Sequence, residues 1–312
     1  MGLLQIAKTG VVSGNSIGKI LEYGKKENFA IPSVSIINVE SINAILESAS
    51  KSNSAIMLQI NSETTKFLGG KIPKGDPTIL GAITTAQYIH VVSEYYKIPV
   101  FIVAEFVKHN QLDYLETLIE LSEENYKKIG KPLFTLHSLD VTNISFIDGI
   151  KLAQKYLKKL NKIGAGLEIK TDASNIEPKE LFYMYWELNK ISSNFIIQIT
   201  LKDENYKNSI KTLEKVQKHI KKEFKTNSKP LNLVIDRESC KKSEIKEYIN
   251  TGVVKIYIDK ELEESYSEAI SEISSTESNK ITDPRKIMRE IQKIQVKCIT
   301  SHIKEFNSKN TL

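Results

Sequence analysis

PVFIVAEFVKHN, residues 99–110, decides how this chain reads. From Pro99 to Phe106 it is apolar except for Glu105. A run this short, opened by Pro and closed near Asn, reads as a strand rather than a helix. Its lack of polar alternation marks a strand covered on both faces, as in a parallel sheet. Seven further runs share that character: residues 29–38, 55–61, 132–140, 164–170, 195–201, 231–236 and 253–259. Each is bounded by Gly, Pro, Asn or Ser.

Amphipathic helical patterns separate the eight runs. In ESINAILESASK, Ile42, Ile45 and Leu46 share one helix face. GAITTAQYIHVVSEYYK, LDYLETLIELSEENYKK, DGIKLAQKYLKKLNK, PKELFYMYWELNKI and KTLEKVQKHIKKEF follow. Asn110 is the expected N-cap of LDYLETLIELSEENYKK, and Pro178 sits in the first turn of PKELFYMYWELNKI. Eight strand–helix units predict a (β/α)8 TIM barrel. An extra N-terminal helix is expected, with Asn15 or Ser16 near its cap, and a C-terminal helix from Asp283-Pro284. Residues 264–280 are expected to end in a polar, Ser-rich loop. No linker interrupts the pattern, so residues 1–312 read as a single domain.

Composition excludes several classes. Hydrophobic residues are 40% and charged residues 26% of the chain, as in ordinary globular proteins. No apolar run approaches the roughly 20 residues of a membrane span, and no signal peptide is read. Two cysteines, Cys240 and Cys298, make neither a disulfide framework nor a Cys-rich metal site, which points to a reducing, cytoplasmic setting. The net charge of +6 is too small to imply nucleic acid by itself.

In this fold chemistry sits where the strands end. Those ends supply Ser35, Asn38, Gln59, Asn61, Glu105, Phe106, His137, Asp140, Glu168, Lys170, Lys202, Asp203, Asp236, Arg237, Tyr257 and Asp259. A zinc site wants two or three imidazoles there. The chain has five histidines: His90 and His219 in helical patterns, His302 in the last helix, His109 beyond the third run, and His137 on the fourth. A lone His137 reads as a hydrogen-bonded structural residue before a ligand. Arg237 and Lys241, after the seventh run, are anion candidates, though a solvated turn is the simpler reading.

TGVVSGNSIGKIL and NFAIPSVSIINVESINAILESASKSNSAIMLQINSETTKFLGGK resemble the N-terminal third of class II fructose-1,6-bisphosphate aldolases. PKGDPTILGAITTAQYIHVVSEYYKIPV, GKPLFTLHSLD, LEIK, ELNKISSNF, TGVVKIYID and DPRKIMR continue the resemblance in order along the chain. It implies a TIM barrel, a homodimer, and a catalytic zinc that stabilises an enediolate. Against that pattern the family's His-Thr-Asp-His-Cys segment is matched by Val-Ala-Glu-Phe-Val, 103–107, so Glu105 takes the place of the proton donor and Phe106 that of a zinc ligand. The Glu-Ile-Glu of strand five is matched by Glu168-Ile169-Lys170. After strand six, Lys202, Asp203, Glu204 and Asn205 offer no His. The His-Gly-Gly-Ser-Gly of strand seven is matched by Asp236-Arg237-Glu238-Ser239-Cys240, losing another ligand and the phosphate cradle. The strand-eight Asn-x-Asp becomes Tyr257-Ile258-Asp259, and the acidic loop after strand five is largely absent. Gln59, Asp140, Asp259, Arg289 and the 283–285 DPR keep the pattern. Arg289 matches a residue that reaches a substrate phosphate in the family, though an ordinary helix Arg paired to a carboxylate is the simpler reading.

The expectation is therefore a family member without zinc or any other cofactor. Glu105, Phe106, Lys170, Asn205 and Asp236 are vestigial positions, and Arg289 and Arg237 are weak anion contacts. An oxygen site from Glu105, Asp203 and Asp236 is opposed by Lys170, Lys202 and Arg237. Such a barrel would serve binding or assembly, with a protein or RNA partner. Lysines crowd two helices (Lys155, Lys158, Lys159 and Lys162; Lys211, Lys215, Lys218, Lys221, Lys222 and Lys225), but solvated faces explain them as well. The alternatives are a Schiff-base aldolase using Lys170 or Lys202, or residual class II activity.

Overall fold

The computed structural model describes residues 2–171, 178–199, 206–226, 229–277 and 283–312, with Phe106 and Ser274 described by their backbone alone. Eight parallel strands close into a barrel: β2 (Ile31–Ser35), β3 (Ile56–Ile60), β4 (Pro99–Lys108), β5 (Leu136–Asp140), β6 (Gly166–Thr171), β7 (Phe195–Ile199), β8 (Leu233–Asp236) and β9 (Val253–Ile258). All eight apolar runs are strands. A two-residue strand, β1 (Gly10–Val11), adds to the beginning of β4.

Helices cover the outside: α2 (Val39–Lys51), α3 (Ser62–Gly69), α4 (Pro77–Tyr96), α5 (Leu112–Ile129), α6 (Phe146–Lys162), α7 (Pro178–Asn189), α8 (Tyr206–Phe224), α9 (Ile245–Thr251) and α10 (Lys260–Glu277). Two more, α1 (Asn15–Glu27) and α11 (Pro284–Glu305), are the expected terminal additions. Local chemistry sets several starts. Asn38 and Ser41 exchange hydrogen bonds in a capping box at α2, and the Asp283 carboxylate accepts from the Arg285 N–H ahead of α11. Asn15 opens α1 next to its cap residue, Gly14, as expected. Two expectations need adjustment. Gln111, rather than Asn110, caps α5, without a side-chain bond. The Ser-rich stretch is helical through Glu277, further than expected, and residues 278–280, where the loop is expected to end, lie outside the described residues.

Strand alternation sorts the side chains. Val34, Leu58, Ile102, Leu139, Ile169, Ile197, Ile235 and Ile256 face outward into the shell against the helices. Ile31, Met57, Phe101, Val103, Leu136, Ile196 and Val234 face inward and form a second core. Ile17, Ile20 and Leu21 of α1 belong to that inner core, so α1 stoppers the end of the barrel where the strands begin. The apolar filling gives way to polar side chains in the half where the strands end.

Candidate functional site at the barrel mouth

The mouth is built on an ion pair at the barrel axis. Lys255 and Glu168 are both fully buried, and Nζ lies 2.6 Å from Oε2. The ammonium also donates to the Tyr257 hydroxyl at 2.9 Å and reaches Gln59 Oε1 at 3.5 Å. Its three N–H bonds thus have three acceptors. Tyr257 donates to the other oxygen of Glu168, Ser138 donates to Oε2 at 3.2 Å, and Ser33 donates to Gln59 at 3.3 Å. A buried ion pair survives only with such a full complement of bonds. Burial lowers the Lys255 ammonium from its usual range, and the Glu168 charge pulls it back. Burial, then Glu168, drives the Tyr257 phenol far above its usual value.

Backbone irregularity places Lys255 there. The β8–β9 register shifts between the Leu233–Val253 and Val234–Lys255 pairs, leaving Val254 as an extra residue. Val254 packs in the inner core, and Lys255 also points inward, which rephases the strand so that Tyr257 follows it. Above this network stand Glu105, Asp236 and Asp259. Burial is the largest influence on each and raises all three. Glu105 reaches about 7; the Ser62 backbone pulls it down and Asp259 pushes it up. Asp259 is next to repel Asp236, while Lys170 and Lys255 attract it. Asp259 accepts from Ser35 at 2.5 Å, and Asp236 accepts from Gln198 at 3.3 Å.

The sequence-selected positions separate accordingly. Glu105, Lys170 and Asp236 share one electrostatic environment at the mouth. The side chain of Phe106 lies outside the described residues, as do Lys202, Asp203, Glu204 and Asn205. Arg237, an anion candidate, is largely engaged within the fold: Nη2 pairs with Glu305 of α11 at 3.1 Å, and Nη1 donates to the Cys240 carbonyl at 3.0 Å. Arg289 donates to Gln292 at 3.1 Å along a groove on α11 that Arg285, Lys293 and Glu47 also line. Asp140 caps its own turn through Thr142. Lys155 and Lys159 of α6 both bind Glu116. Burial pushes that carboxyl up, but their hydrogen bonds hold it at about 2.

All five histidines are described, and they do not converge. His137 faces outward, completely buried beneath α5, where Nε2 meets Ser122 Oγ at 3.1 Å; burial lowers it to about 3. His90 of α4 bonds the Leu133 carbonyl, His219 of α8 packs on Phe182, and His302 of α11 contacts Glu261 and Glu305. His109 lies in the turn after β4. Zinc with an open coordination position needs neutral imidazoles or clustered carboxylates. Among the described residues the mouth instead presents carboxyls whose ionisation burial disfavours, with Lys170 and Lys255 beside them, and these donors do not fit zinc. Among the described residues, no group of three His, Cys, Asp or Glu has metal-holding geometry.

Sequence reasoning passed over Lys255, Ser33, Ser138 and Gln198. The available signal was Lys255 itself, a charge set inside VVKIYI, where a covered strand otherwise carries none.

Known proteins share this architecture and much of the sequence. The family profile described as fructose-bisphosphate aldolase class-II matches residues 15–180 and 192–311. The fructose-bisphosphate aldolase class 2 of Buchnera aphidicola subsp. Schizaphis graminum is 32% identical, with both chains covered completely. The fructose-bisphosphate aldolase of Borreliella burgdorferi is 34% identical over 83% of this chain and 80% of its own. The crystal structure of fructose-bisphosphate aldolase from Campylobacter jejuni superposes with a TM-score of 0.92 at 27% identity, covering 100% of both chains.

Proposed function

The chain belongs to the class II fructose-bisphosphate aldolase family, and we propose that it is a member without zinc-dependent cleavage, kept as a binding or assembly protein. One observation carries this reading. The barrel axis is filled by the Lys255–Glu168–Tyr257 network, and Lys170 adds a second cation where the family resemblance places a carboxylate near the metal. A divalent ion entering that mouth meets two lysines and carboxyls whose ionisation burial disfavours. A shared fold does not carry a shared reaction. The relatives are named fructose-bisphosphate aldolases, so the direct test is cleavage of fructose 1,6-bisphosphate with added zinc. No turnover above a protein-free control supports the reading; chelator-sensitive turnover overturns it.

A second reading has its own support. Lys255 is a desolvated lysine on the barrel axis, the setting in which an amine becomes a nucleophile toward a carbonyl. Borohydride reduction with a triose phosphate, followed by peptide mass mapping, tests it: an adduct on Lys255, Lys170 or Lys202 supports an imine enzyme, and an unmodified chain removes it.

The proposed assembly is a homodimer of single-domain subunits in the cytoplasm. Support for the dimer comes from α4, which leaves Leu80, Val91 and Tyr95 exposed, with Phe67 of α3 also exposed. Two free cysteines fit a reducing compartment. Among the described residues, no helix is long and apolar enough to cross a membrane. Light scattering after size exclusion decides the assembly: twice the mass of 35.3 kDa is expected, and a monomer refutes it.

A further inference from the structure

The last helix carries a charge cluster outside the network on the barrel axis. His302 of α11 is 7% exposed. Its Nε2 lies 2.7 Å from Glu261 Oε2, in the first turn of α10. Its Nδ1 lies 3.2 Å from Glu305 Oε2, one turn further along α11. Glu305 also pairs with Arg237, directly after β8, at 3.1 Å. The Phe306 ring tilts against the imidazole, with the ring centres 5.7 Å apart. One imidazole thus joins three elements: α10, α11 and the turn after β8.

Both ring nitrogens face carboxylate oxygens. A neutral imidazole has one N–H and one lone pair, so it donates to only one of them; the imidazolium donates to both. Among the described residues, Glu261 has no ion-pair partner besides His302, and its buried Oε2 accepts no hydrogen bond from elsewhere. A buried carboxylate oxygen without an opposing charge is costly. Glu305 is better served, because the Arg237 guanidinium does not lose its charge. The surrounding groups do not replace the imidazolium. Cys298 of α11 stands near Glu261, and Cys240 stands near Arg237, Glu244, Glu305 and Asp236; burial raises both thiols. Glu244 accepts from the Lys241 N–H, and Lys260 pairs with Glu264 on α10. On α2, Glu47 and Lys51 pair with each other beside Gln292, ten residues earlier on α11. Of the side-chain types that touch His302, only histidine itself ordinarily changes charge between about pH 5 and 8.

We propose that His302 is a proton-operated latch on the rim of the barrel. Doubly protonated, it holds Glu261, and with it the first turn of α10, against α11. Neutral, it keeps Glu305, which Arg237 also retains, and releases Glu261 to water. The released turn follows Asp259 directly, and the Leu262 and Glu263 N–H groups donate to the Asp259 carbonyl. Arg237 in turn follows Asp236. The latch therefore acts on the two chain segments that carry the mouth carboxyls Asp259 and Asp236, and it loosens the first of them as pH rises. It holds whether or not the mouth does chemistry.

The test is hydrogen exchange, read by mass spectrometry on the full chain at about pH 5.5 and about pH 8.5 and corrected for the intrinsic exchange rate. Peptides covering residues 259–266 are protected at least about tenfold more at the lower pH, as loss of a charge-assisted bond implies. His302→Gln and Glu261→Gln each abolish that difference, while peptides of α5 show none in any of the three proteins. In nitrogen-15 spectra of the histidine rings, both nitrogens of His302 carry protons at the lower pH and one does at the higher. Equal protection of 259–266 at the two pH values overturns the proposal. So does a pH dependence that survives in His302→Gln, which would trace it to another group such as Glu105. A His302 ring with a single proton at about pH 5.5 overturns it in the unaltered protein, whether or not either variant folds.

Discussion

Replacing Lys255 with Met leaves the Glu168 carboxylate buried without its cation. Both side chains have 0% exposure, and the lost contact is the 2.6 Å Nζ–Oε2 pair. Breaking a buried pair from one side costs about 3–5 kcal/mol. Unfolding entropy near ~2.1 cal/mol/K per residue gives about 0.66 kcal/mol/K for 312 residues. The melting temperature of Lys255→Met should therefore fall by about 5–8 °C. Glu168→Gln alone strands the ammonium and costs a similar amount. The double variant should recover most of the loss, because the amide that replaces the Glu168 carboxylate can still accept from Tyr257 through its oxygen, while its NH2, in place of the other oxygen, donates to the Ser138 hydroxyl. The expected coupling is at least about 2 kcal/mol, since the residues share one network. Differential scanning calorimetry on the four proteins measures it. Additive losses, or a Lys255→Met loss below about 1 kcal/mol, would refute the claim that a charged pair holds the axis.

Three other outcomes follow from the same geometry. Glu105 has a folded pKa of about 7, raised from 4.5, so its stabilisation is complete below about pH 4.5 and lost as pH rises through 7. Glu105→Gln should stabilise the protein at pH 8 by at most about 3 kcal/mol and leave it unchanged at pH 4, read from urea unfolding; parallel pH curves for variant and parent would count against it. A Cβ at Gly81 would lie 1.8 Å from the Thr65 carbonyl, where α3 crosses α4, so Gly81→Ala should cost about 3 kcal/mol in the same assay, and an unchanged midpoint would show the crossing to be loose. His137→Leu removes one hydrogen bond to Ser122 from an outward, fully buried site; it should cost no more than about 1.5 kcal/mol and leave any bound metal unaltered, whereas a change in metal content would return His137 to the ligand list.

The strands were legible because a sheet covered on both faces needs apolar runs, and each of the eight stood between turn-forming residues. Side-chain direction was less so. His137 and Asp140 were both read as rim residues, yet strand parity puts them on opposite faces: with Ser138 inside on Glu168, His137 must face the helices. That signal was present in the sequence. The Val254 bulge was not, since one extra residue in a continuous apolar strand leaves no mark in its pattern. Nor was the fate of Arg237, whose partner Glu305 arrives from the last helix by tertiary packing alone. Departures from the family's motifs could be read position by position; the ion pair that occupies the barrel axis required three dimensions.

Elemental analysis of the purified chain, dialysed against zinc and then against metal-free buffer, bears most directly on the proposed loss of the metal centre. Zinc at the background of the buffer is the predicted result. One zinc retained per chain, abolished by Asp236→Asn or Glu105→Gln, would contradict it.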